Sequence, residues 1–324
     1  MKNLSRKILL GLSLCLAFLT HPAFASDYPS KPIRIILGQG AGGGMDTLAR
    51  IVAQRLATQL GQPVIVENKV GAGGIIATDF VAKAAPDGYN LLLGPIGNMV
   101  FTPILRSKLK YNPTQDFIPV SMVATFPLVL VVNAKSPFQS VKDLVAFMKA
   151  NPAKSNYGGS GPAFQFANEI FKVKTGALGE FVQYKSMSET ITALMAGDLV
   201  MSMVDTGPAS SHLASGNLRA LAVTSPNRLS SLPNVPTMAE LGFNDIEFRY
   251  WSGIFSPAGT PSNVVKKLES EINKLLKQPD VIAQMANQQV MATGSTSEEL
   301  SAWLAADLKR WGQVAEAANI KKLD

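Results

Sequence analysis

Ile33-Arg34-Ile35-Ile36-Leu37-Gly38-Gln39-Gly40-Ala41-Gly42-Gly43-Gly44-Met45-Asp46 is the stretch that decides the fold. Its aliphatic run from Ile33 to Leu37 reads as a buried strand, its glycines as a loop, and Met45 to Leu60, closed by Gly61, as a helix. Working outward, Val64 to Glu67 is the next strand and Gly71-Ala72-Gly73-Gly74 opens a helical stretch to Ala84. Pro86-Asp87-Gly88 then turns the chain into a third strand, Tyr89 to Leu93. Strands alternating with helices in this way build a parallel sheet.

The alternation restarts further on. Val129 to Val132 reads as a strand, Val141 to Lys149 as a helix, and Ser155 to Tyr157 as a strand entering the loop Gly158-Gly159-Ser160-Gly161-Pro162 before a helix from Phe164 to Thr175. Strands at Phe181 to Tyr184, Leu199 to Val204 and Leu218 to Val223 continue the pattern, with helices between them. A strand at Tyr250 to Phe255 and helices Ser262 to Lys277 and Glu298 to Ala315 return to the first unit. The expected fold is α/β with two domains, 26–126 plus 251–324 and 127–250, each an open and mainly parallel sheet. Two such domains joined by more than one crossing segment enclose a hinged cleft, and open sheets bind ligands at the carboxyl ends of their strands.

Residues 1–25 read as a secretory signal peptide. Lys2, Arg6 and Lys7 precede an apolar run, Ile8 to Leu19, that is too short for a membrane span, and Ala23-Phe24-Ala25 offers a cleavage site before Ser26. Cys15 is no lipidation site, because Leu14 precedes it and the apolar run continues past it. Removing the leader leaves 299 residues and lowers the formal charge from +7 to +4, too small and scattered for nucleic-acid binding. The mature chain keeps no cysteine and one histidine, His212, which excludes disulfides, thiolate nucleophiles and cysteine- or histidine-based metal sites. The mature protein is expected to be exported.

Gly38, Gln39, Gly40, Ala41, Gly42 and Gly43 lie between a strand and a helix, where backbone N–H groups and the helix dipole favour an anion. The spacing is not a dinucleotide fingerprint, and no Walker lysine follows. Asp46 is either a first-turn helix residue or a ligand contact. The second loop, with Gly159, Ser160 and Gly161, has the same character in the other domain, so the two loops are expected to converge on one ligand carboxylate. Gly71 to Gly74 serves helix packing or approaches the cleft. Of Phe164 and Phe166, at most one faces the ligand.

Ser160, Asp205 and His212 occur in the chain order of α/β-hydrolase triads, but Pro162 stands where the nucleophile elbow needs glycine, so a serine hydrolase is a remote alternative. Asp205-Thr206-Gly207 lines the cleft or caps a helix, and Lys185 reads as solvated at a strand end.

Seven segments in register resemble the Bug family, the substrate-binding proteins of tripartite tricarboxylate transporters. They are Tyr28-Pro29-Ser30-Lys31-Pro32-Ile33-Arg34 with Gly42-Gly43-Gly44-Met45-Asp46-Thr47-Leu48-Ala49-Arg50, then Val66 to Gly74, Ala84 to Tyr89, Leu218 to Thr224, Leu232 to Thr237 and Pro257 to Pro261. The resemblance implies a periplasmic Venus-flytrap protein that captures small carboxylates for a membrane permease, without catalysis. No cofactor or metal is expected, and the protein is expected to act as a monomer. In the family, the first strand-to-helix loop and a loop of the second domain hold a ligand carboxylate. Here these are Gly38 to Gly44 and Gly158 to Ala163.

Several positions depart from the family pattern. Gly38-Gln39-Gly40-Ala41 replaces prolines, Pro162 and Phe164 stand where small polar residues are usual, and Tyr184-Lys185-Ser186 replaces Tyr-Lys-Gly. These changes predict a carboxylate ligand of less polar or aromatic character, with Gln39 and Tyr184 among its contacts. A receptor presenting its ligand to a membrane sensor kinase fits the same residues.

Overall fold

The computed structural model describes residues 28–323 apart from Asp245 and Glu247. The leader, its cleavage site and Cys15 lie outside the described residues.

The opening unit folds as its pattern dictates. Strands β1 (Ile33–Leu37), β2 (Val64–Asn68) and β3 (Asn90–Pro95) run parallel, with Ile35 in register with Val66 and Leu91. Helix α1 (Gly44–Leu60) buries Leu48, Val52 and Leu56 at a four-residue spacing, one face of a helix, and ends at Gly61, whose N–H donates to the Ala57 carbonyl. Helix α2 (Ile75–Ala82) follows a single 3-10 turn, and a π-helical turn, Gly97–Phe101, leads into the short α3 (Thr102–Leu105).

Strand β4 spans Phe117–Asn133, 17 residues that would reach about 55 Å if straight, too far for one small sheet. It serves two sheets. Residues 117–127 pair antiparallel with β9 (Arg249–Pro257), in a sheet ordered β2-β1-β3-β9-β4-β10, where β10 is Met291–Ala292. Residues 128–133 pair with β7 (Ser202–Asp205) and β8 (Leu218–Val223), one on each side. Beyond β7 lie β5 (Tyr157–Ser160) and β6 (Phe181–Tyr184), parallel to each other and joined to β7 through the Tyr157–Met201 bridge. Sequence patterning marks only Val129 to Val132 of β4, because Pro119 and Pro127 break the reading. Pro119 stands at a bulge in the β4–β9 pairing, a position that tolerates a missing N–H.

The remaining helices cover the sheets: α4 (Val141–Ala150), α5 (Pro162–Thr175), α6 (Met187–Ala196), α7 (Thr206–Ala214), α8 (Ser262–Leu275), α9 (Pro279–Asn287) and α10 (Ser297–Ala317). Helix α10 opens with a capping box between Thr296 and Glu299. Val52, Leu56, Leu268, Ile272 and Met285 pack on one face of the first sheet. Across its other face runs a larger core that continues into the second lobe. There Phe101 stacks on Phe166 at 4.6 Å between centroids, with Trp311 edge-on to both at 5.5 and 5.9 Å and to Phe248 at 5.1 Å. Each such pair contributes about 0.5–1.5 kcal/mol beyond its buried area, so residues from both lobes share one aromatic hub.

The second glycine run departs from its expected form. Gly158, Gly159 and Ser160 belong to β5 and pair with Val182, Gln183 and Tyr184, which leaves Gly161 alone, at a φ of +84°, to make the turn into α5. Gly159 is required by close packing, since a Cβ there would meet the Phe164 Cβ at 2.7 Å.

Candidate ligand-binding cleft

A cavity of about 370 Å3, within the range of small-molecule sites, opens between the lobes at the carboxyl ends of the strands. Gln39 after β1, Ala72 and Gly73 after β2, and Gly97, Asn98 and Thr102 after β3 form its first wall. Ser160, Gly161, Ala163 and Phe164, at the β5–α5 junction, form the facing wall, and Tyr250 of β9 closes the side.

The first wall is held by close backbone packing. A Cβ on Gly38 would lie 2.4 Å from the Gly74 Cα, so the loops after β1 and β2 touch only because residue 38 is glycine, while a Cβ on Gly74 would meet the Asn98 amide at 2.7 Å. The Asn98 side-chain amide donates to the Gly73 carbonyl at 2.8 Å, and the Tyr111 hydroxyl donates to the Asn98 carbonyl at 2.7 Å. Asn68 donates to the Gln39 carbonyl and, at 2.9 Å, to the Asp46 carboxylate. The Gln39 Oε1 is buried without a hydrogen-bond partner. A buried acceptor of this kind calls for a partner, and a side-chain amide can turn to present either end.

The facing wall carries the electrostatics expected of it. Helix α5 begins with Gly161 as its N-cap, and no side chain caps it, so its first-turn N–H groups and positive dipole end stand at the cavity. Phe164 reaches the cavity, whereas Phe166 is fully buried in the aromatic hub.

Of the sequence-predicted ligand contacts, the structure brings Gln39, Ser160, Gly161 and Ala163 together in this cavity. Gly38 lies behind, against Gly74, while Gly40, Ala41, Gly42 and Gly43 continue the first loop into solvent. Asp46 is committed elsewhere. Its carboxylate accepts from the Gly42 N–H at 2.9 Å and from the Arg50 guanidinium at 2.9 and 3.1 Å, which holds it down to about 2. It therefore braces the first loop from below. Tyr184 sits beside Ser160 in strand register but packs with the core of the second lobe, over Gly158.

Asp205 ends β7 and is the N-cap position of α7, yet its side chain makes no capping bond. Burial pushes its carboxyl up to about 6. Burial, followed by the Asp205 charge, likewise raises the Tyr250 hydroxyl. His212 lies in the last turn of α7, roughly 10 Å along the axis from Asp205, so the two cannot form the relay that a hydrolase needs. Lys185 is exposed, as expected.

Sequence reasoning missed the wall after β3. Pro103 obscures a helix there, but the π-helical turn Gly97–Phe101 lies immediately before it and relaxes the spacing that an interior proline disrupts. The residues facing the cavity, Asn98, Thr102, Leu105 and Arg106, have the spacing of one helix face, which was the available signal.

Two α/β lobes that share paired strands around a cleft define the periplasmic-binding-protein class. Within it, the chain belongs to the family described as "Tripartite tricarboxylate transporter family receptor", whose profile matches residues 48–320. It is 34% identical to Protein BugT of Bordetella pertussis over 98% of this chain and 99% of that protein. Among solved structures it is similar to a Rhodopseudomonas palustris protein with adipate, at 29% identity and a TM-score of 0.78, covering 92% of this chain and 100% of that one. It is also similar to MatC from Rhodopseudomonas palustris with bound malate, at 26% identity and a TM-score of 0.72, covering 89% and 99%. The family consists of receptors, not enzymes. Among the described residues, no helix is long and apolar enough to cross a membrane.

Proposed function

We propose that this protein is a periplasmic receptor that captures a small carboxylate between its lobes, 26–126 with 251–324 and 127–250, and delivers it to a tripartite tricarboxylate-type permease. The signal peptide 1–25 directs its export, and the mature protein works as a monomer. The observation that carries this reading is the uncapped start of α5 at Gly161, on the cavity wall facing Gln39. N–H groups at Ala163 and Phe164, the Ser160 hydroxyl and the Gln39 amide would hold the carboxylate, with Gly38 and Asp46 shaping the loop behind. The adipate and malate found in two relatives support the same ligand class.

Thermal unfolding of the protein without residues 1–25, in the presence of adipate, malate, citrate and benzoate and of their amides, tests it. A ligand present at a hundredfold its Kd stabilises the folded state by about 2.7 kcal/mol, so a true carboxylate ligand raises Tm and its amide does not. Stabilisation by amides as strong as by acids, or by neither, would overturn the reading.

A further inference from the structure

Among the described residues, Arg106 is the only charged one lining the cleft cavity, and it also borders the outer groove beside it. It follows the last turn of α3, on the helical segment that begins at Gly97 in the same cavity, roughly 12 Å away along the axis. Its backbone is extended and fixed by a bridge to Leu323, whose N–H donates to the Leu105 carbonyl at 2.6 Å. Its guanidinium acts electrostatically on the Tyr111 phenol, whose oxygen rests on the cavity residue Asn98.

No ion pair joins Arg106 to any carboxylate among the described residues. The acidic residue of the adjoining outer groove, Asp116, accepts from the Asn112 N–H instead. Among the described residues this guanidinium has no counter-charge and the cavity wall carries no acid; opposite a helix N-terminus, it makes a site with two separate anion-favouring ends. One carboxylate satisfies one end only.

We propose that Arg106 is the specificity-determining residue that reads a second anionic group, so that the cleft selects a dicarboxylate over a monocarboxylate of the same length. The first carboxylate sits at the start of α5, and the chain of the ligand lies along Asn98 and Thr102 toward Arg106. The inference rests on the carboxylate reading of the cleft and adds the ligand's second charge.

Calorimetric titration with linear dicarboxylates from malonate to adipate, each beside its half-amide and the monocarboxylate of equal length, tests it on the unmodified protein. At least one diacid should bind ten times or more tighter than its half-amide. In Arg106→Gln that ratio should fall to within about twofold, while binding of the monocarboxylate is unchanged, and Arg106→Lys should restore part of it. Equal binding of diacid and half-amide by the unmodified protein, or a preference kept by Arg106→Gln, would overturn the inference while leaving the receptor reading intact. Failure of every acid to bind would remove both.

Discussion

Phe164 of the second lobe lies face to face with Tyr250 of the connecting strand β9, with centroids 6.5 Å apart and planes 12° from parallel. Tyr250 in turn meets Phe126 of β4 edge-on at 5.5 Å. The ring that stands beside the ligand cavity is thus coupled to the two strands that cross between the lobes. Offset stacking at this distance contributes about 0.5–1.5 kcal/mol. A double-mutant cycle of Phe164→Ala and Tyr250→Ala, read by ligand titration, should return a coupling of that size. Strict additivity would show that the rings act independently.

Gly38→Ala forces a methyl into the Gly74 backbone, whereas Gly40→Ala meets nothing within 4 Å. The first should destabilise the protein by about 1–3 kcal/mol and weaken ligand binding, because the two loops that make up the first wall of the cavity shift apart. The second should leave stability within about 0.5 kcal/mol. Denaturant unfolding of both variants separates them.

Asp46→Ala removes the acceptor shared by Gly42, Arg50 and Asn68, and should lower stability at neutral pH by about 1–3 kcal/mol. Because these donors hold the carboxyl below its ordinary 3.8, at about 2, its contribution is present above that range and is lost as pH falls through it. Unfolding free energies measured from pH 5 downward should therefore decline less steeply in the variant than in the parent.

Asp205 predicts the opposite slope. Its folded-state carboxyl titrates near 6, above the ordinary 3.8, so its protonated form is favoured by folding and stability falls as pH rises between those values. Asp205→Asn should then be more stable than the parent at pH 7.5, by at most about 3 kcal/mol, and no more stable at pH 4. Melting curves at the two pH values decide it, and equal behaviour would show that the carboxylate is solvated.

The sequence made the strand–loop–helix units legible wherever one periodicity ruled, as in Ile33 to Leu60, and the two glycine loops were found from backbone electrostatics alone. Three parts stayed hidden for physical reasons. Prolines interrupted the pattern of β4 although bulged and crossing positions tolerate them. The helical wall from Gly97 to Arg106 opens on a π-helical turn and carries Pro103, which reads as a helix breaker and masks the spacing of its cavity face. Gly158 to Ser160 suggested a loop because glycine is rare in strands, but here it answers a close approach of strand to helix. The role of Asp46 was open in sequence because its partner Asn68 comes from the next strand, a contact that only the β1–β2 register creates.

Strand β4 is hydrogen-bonded in both sheets, and the chain returns beside it through β9. Such a joint is a torsion bar, not a loose swivel: rocking the lobes must wind a paired ribbon whose bonds stay intact, so the restoring force rises with angle. The molecule is thereby tuned to small angular excursions around one resting pose. Its ligand residence time should respond to substitutions at Phe126, Pro127 and Arg249, none of which needs to touch the cargo.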